Sequence, residues 1–68
     1  MPMNVTVNGA VRELDEGTTL LDLIAALGLR PGSVVVERNG DALTRSEFGG
    51  VVLAPGDRLE LVRAVAGG

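Results

Sequence analysis

With 68 residues and a formal net charge of −3, the chain has room for one small core and little room for an enclosed active site. It contains neither cysteine nor histidine, which removes disulfides, thiolate nucleophiles, sulfur-ligated metals and the usual neutral-pH proton shuttle. The acidic balance and scattered arginines argue against nucleic-acid binding, and no apolar run approaches the roughly 20 residues that span a bilayer, so a cytoplasmic location with no membrane partner is the expectation.

Met3 to Val7 alternates apolar and polar residues, the signature of a half-buried strand. Asn8-Gly9 follows, a pair suited to the positive φ angles of a type I′ turn, and Val11 to Leu14 supplies the returning strand. After the break at Asp15 to Thr18, Thr19 is placed to cap a helix with Asp22 at its third position, an imperfect capping box, with Thr18 the alternative cap. Leu20, Leu23, Ile24 and Leu27 fall on one helical stripe. Gly28 suits the position after the helix end, and Pro31-Gly32 keeps the link from continuing the helix.

Val34 to Arg38 reads as a third strand, Asn39-Gly40 as a second hairpin turn, and Ala42-Leu43 as a short partner strand. Between Thr44 and Leu53 stand Phe48, the single aromatic residue and a core candidate, and an apolar patch from Val51 to Leu53. The turn Pro55-Gly56-Asp57 then introduces the longest strand, Arg58 to Val65. Its Leu59 and Leu61 face one way and Glu60, Val62 and Ala64 the other, and apolar character on much of both faces predicts a central position. One helix packed across one face of a mixed sheet of four or five strands, with the last strand beside the first, accommodates every apolar run. This α+β arrangement is the β-grasp, or ubiquitin-like, fold, expected as a single domain over residues 1–68 with residues 66–68 as a flexible tail.

Ala66, Gly67 and Gly68 follow the last strand directly. Glycines without Cβ let a backbone pass through a channel too narrow for side chains, and a terminal carboxylate, titrating near about 3.5, is an anionic nucleophile at neutral pH. A frayed end is the plain alternative. All six basic residues are arginine, so lysine-linked chains of this protein with itself are excluded, although base composition alone accounts for such usage.

Taken together, Asn8-Gly9, Gly17-Thr18-Thr19-Leu20, Val36 to Gly40, Arg45-Ser46-Glu47-Phe48, Pro55-Gly56-Asp57 and the ending Arg63 to Gly68 resemble the ThiS family of sulfur carriers over essentially the whole chain. Many relatives have Pro where Thr44 stands and Trp where Phe48 stands, replacements compatible with the same packing. The resemblance implies a carrier in thiamine (thiazole) biosynthesis and not an enzyme. Such a carrier would bind no cofactor itself. A ThiF-like adenylyltransferase would use ATP and magnesium to adenylate the Gly68 carboxylate. Sulfur from a desulfurase or persulfide protein would convert it to a thiocarboxylate, and a ThiG-like thiazole synthase would accept the sulfur. Ala66 and Gly67 would enter partner active sites, and Arg58, Glu60, Val62 and Ala64 are the expected partner surface on the uncovered sheet face. Three alternatives share the fold: a MoaD-like carrier for molybdopterin or cysteine synthesis, a ubiquitin-like protein modifier, and a plain binding module.

Overall fold

The computed structural model describes residues 1–64. Strand β1 (Pro2–Val7) turns at Asn8-Gly9 into β2 (Ala10–Asp15), and helix α1 (Leu20–Ala26) leads to β3 (Val34–Arg38), β4 (Asp41–Leu43) and β5 (Arg58–Arg63). The two hairpin turns have the left-handed geometry that their sequences predict, with φ of 50° and 83° at Asn8 and Gly9 and 53° and 89° at Asn39 and Gly40. The capping box is complete, against the imperfect one expected. The Asp22 N–H donates to Thr19 Oγ1 and the Thr19 N–H to Asp22 Oδ2, both at 3.1 Å, so the shorter aspartate still reaches.

At its far end α1 stops in a Schellman motif. Gly28, at φ 74°, donates its N–H to the Ala25 carbonyl, and Leu29 donates to the Ile24 carbonyl, both at 3.0 Å. Leu27 is the C-cap and is only half-buried, while Leu20, Leu23 and Ile24 are buried. Two short 3-10 turns were not foreseen. Pro31–Ser33 leads into β3, and Arg45–Gly50 places Phe48 in the core. The latter is set by Thr44, whose N–H and hydroxyl both donate to Glu47 Oε1 at 2.7 and 2.8 Å.

The sheet order is β2-β1-β5-β3-β4, with β5 parallel to β1 and every other neighbouring pair antiparallel. Met3, Val5 and Val7 of β1, Val34 and Val36 of β3, and Leu59 and Leu61 of β5 point to one face, where Leu20, Leu23, Ile24, Phe48 and Leu53 complete the core. Burying one such side chain contributes about 1.5–3 kcal/mol, so this face holds the fold. The expected β-grasp architecture is therefore present, with five strands. One detail of the last strand differs from expectation: it ends at Arg63, with Ala64 beyond it and Val65 outside the described residues. As expected, it is central in the hydrogen-bonded order and covered on one face only, with Val62 61% exposed on the other.

Candidate functional site

Strand β5 delivers the chain to its C-terminal residues, and the fold fixes it from both sides. On one side β1 pairs with it only as far as Val7 and Leu59. There the chain turns away, and the Asn8 side chain continues the ladder in the backbone's place. Its Oδ1 accepts the Leu61 N–H at 2.9 Å and its Nδ2 donates to the Leu61 carbonyl at 3.1 Å.

On the other side Asn39 acts in the same way at the start of β5. Its Oδ1 accepts the Arg58 N–H at 2.9 Å, and its Nδ2 donates to Asp57 Oδ1 at 3.1 Å. Asp57 is buried, and its second carboxylate oxygen accepts from Arg38 Nε and Nη2 at 3.1 and 2.9 Å and from the Ala54 N–H at 2.8 Å. Burial pushes this carboxyl up, but the Ala54 N–H, the Asn39 amide and the Arg38 guanidinium outweigh that and hold it below its ordinary value. Sequence reasoning took Asn8, Asn39 and Asp57 as turn residues only. Nothing in a turn motif shows that an amide reaches a strand 53 residues away.

Across the face opposite the helix, the predicted residues Arg58, Glu60 and Val62 share β5's exposed side. Val62 stands directly opposite Val35, also exposed, and Glu60 directly opposite Glu37. The like-charged pair is mildly destabilising where it stands. Glu37, Asn39, Gly40, Arg58 and Glu60 line a shallow concavity of about 370 Å³ on this face. Ala64, the fourth predicted surface residue, lies past the strand, exposed, with its N–H donating to the Ser33 carbonyl at 2.8 Å. The predicted reactive residue Gly68 and its lead, Ala66 and Gly67, lie outside the described residues.

A second cleft, of about 330 Å³, opens beside Ala64 and is lined by Gly28, Leu29, Arg30, Ser33, Arg63 and Ala64. Arg63 follows Leu59 and Leu61 in phase, so alternation alone places a charge on the core side just where the core ends. Among the described residues no cluster of acidic side chains is placed to hold a metal ion, and no helix is long and apolar enough to cross a membrane.

The chain is similar to known proteins along its length. The model of the ThiS family matches residues 5–68. A crystal structure of the thiamine biosynthesis protein ThiS from Geobacter metallireducens superposes with a TM-score of 0.80 at 35% identity, covering 97% of this chain and 100% of that one. A thiazole synthase from Magnetococcus marinus is 39% identical over 66 residues, which are 97% of this chain and 20% of that protein. The chain thus spans about a fifth of the length of the curated relatives it matches. A computationally designed protein based on a human ubiquitin template shares the fold, with a TM-score of 0.52 at 23% identity over 98% of this chain and 95% of its own.

Proposed function

The chain belongs to the ThiS family, and on that premise we propose that it is a sulfur carrier whose Gly68 carboxylate is the working group. A carboxylate oxygen of Gly68 attacks the α-phosphorus of ATP in the active site of a ThiF-like adenylyltransferase, with magnesium on the nucleotide, and pyrophosphate leaves. The resulting mixed anhydride makes the carbonyl carbon electrophilic. A persulfide, charged by a desulfurase, displaces AMP there, and thiol cleavage of its S–S bond leaves a thiocarboxylate on Gly68. Thiazole synthase of the ThiG kind then takes the sulfur.

This reading calls for a chain that presents an end and supplies no catalytic groups of its own. The single observation that carries it is the anchoring of β5, the strand leading to Gly67-Gly68, by ladders on both edges and by the Asn8 and Asn39 amides. A rigid base with a slender lead lets a partner draw the carboxylate inward without unfolding the carrier. Arg58, Glu60, Val62 and Ala64 form the surface that docks. The choice of acceptor rests on a relative named thiazole synthase that contains a stretch matching nearly all of this chain. Joining a carrier to its acceptor raises their effective concentration, so such a relative favours a ThiG-like partner for this chain.

The test is pyrophosphate release by a ThiF-like enzyme supplied with ATP, magnesium and this protein. Release that depends on the protein and vanishes when Gly67-Gly68 is deleted supports the reading. Equal release with the deleted form contradicts it.

A further inference from the structure

The cleft beside Ala64 carries an inference that rests on the carrier reading and deepens it. Four residues separate Ala64 from the end of Gly68, and even fully extended they span no more than about 14 Å. Any enzyme that brings its reacting atoms to the Gly68 carboxylate must therefore lay the mouth of its active site against the surface around Ala64. That surface is basic. Arg30 and Arg63 line the cleft together with Ser33, and among the described residues no acidic side chain contributes to its wall.

Arg45 adds a third cation next to it. A Cβ on Gly32 would come within 2.7 Å of the Arg45 guanidinium, so the bare backbone of this 3-10 turn seats that group one residue from Ser33. Among the described residues the ion pair is Arg38 with Asp57, which leaves Arg30, Arg45 and Arg63 without a carboxylate partner. The chain as a whole is acidic, so half of its six arginines gather at the end from which Gly68 departs. Covering Arg30 and Arg63 with a neutral surface would strip water from two cations without replacement.

We propose that the cleft of Arg30, Ser33 and Arg63 docks acidic side chains at the mouth of the enzyme active site that receives Gly68. The open sheet face then supplies apolar contact through Val62 and Val35, and the cleft sets the direction from which the tail enters. Guanidinium groups suit this role because they hold carboxylates in a planar, bidentate geometry.

The experiment is steady-state pyrophosphate release by a ThiF-like enzyme with ATP and magnesium, using the full chain as varied substrate across a range of salt concentrations. The double variant R30E/R63E is compared with wild type, with R30K/R63K and with R12E, which places the same kind of charge change on β2. A KM raised by about tenfold or more for R30E/R63E at low salt, with kcat unchanged and the gap closing at high salt, is the expected result. R30K/R63K falls between wild type and R30E/R63E, because it keeps both charges and loses the bidentate geometry, and R12E does not move. Thermal unfolding of each variant separates a docking loss from a folding loss.

A double variant that tracks R12E at every salt concentration overturns the proposal. So does a lowered KM, which assigns the cleft to the chain's own Gly68 carboxylate. If wild type itself supports no pyrophosphate release, the carrier reading fails first, and that outcome is distinct from both.

Discussion

At the scale of single residues, asparagine and aspartate side chains do the joining that an edge of backbone cannot. Asn8 occupies a left-handed position and substitutes its amide for two missing ladder bonds to Leu61. Asn8→Gly keeps the backbone geometry and removes only the amide, so it is expected to cost about 1–2 kcal/mol, read as a lower urea midpoint at unchanged slope. An unchanged midpoint would show that the amide contributes nothing. Asp57 makes a pH prediction. Its folded pKa lies below the ordinary 3.8, so its stabilisation is present above that value and is lost as pH falls through the lowered one. Asp57→Asn is therefore less stable at neutral pH, and its deficit narrows through the acid limb. A deficit of constant size down that limb contradicts the assignment. Neither role is legible in sequence, because both depend on partners from other strands that a turn motif does not name.

Among the elements, those with a period or a punctuation mark were readable. Alternation from Met3 to Val7, the stripe of Leu20, Leu23 and Ile24, and two Asn-Gly turns gave β1, α1 and both hairpins close to their observed bounds. The 3-10 turns carry no period. Arg45–Gly50 is held by Thr44 and Glu47 bonding locally and by Phe48 reaching the core, signals that amount to one aromatic among polar residues. Gly28 shows how much a single stop depends on backbone shape. A Cβ there meets nothing within 4 Å, so the cost of Gly28→Ala is conformational, about 1 kcal/mol for an L-residue held at φ 74°. Gly49, equally open but without a positive φ, is the control, and Gly49→Ala is expected to be neutral or stabilising by up to about 1 kcal/mol. Equal losses at the two sites would contradict a Schellman stop.

For the whole molecule, the fold sorts its surface into a covered face, an open face and an exit. Alternation along Arg58 to Val62 placed Glu60 and Val62 opposite Leu59 and Leu61 correctly, so the open face was legible. The cleft beside Ala64 was not, because Arg30 and Arg63 come from segments 33 residues apart and meet only through the pairing of β3 with β5. Val62→Asp tests the open face. Since Val62 is 61% exposed, the substitution should change folding stability by no more than about 1 kcal/mol. It should weaken binding to a ThiF-like enzyme by at least about tenfold, because it buries an unpaired charge. Unchanged affinity in a titration removes Val62 from the docking surface. The chemistry proposed for Gly68 is read out by the intact mass of the protein after incubation with a ThiF-like enzyme, ATP, magnesium and a persulfide source. Replacement of one oxygen by sulfur, confined by fragmentation to Gly68 and absent when Gly67-Gly68 is deleted, is the predicted result. An unchanged mass in a reaction that consumes ATP on this protein, or a sulfur found elsewhere in the chain, would contradict it.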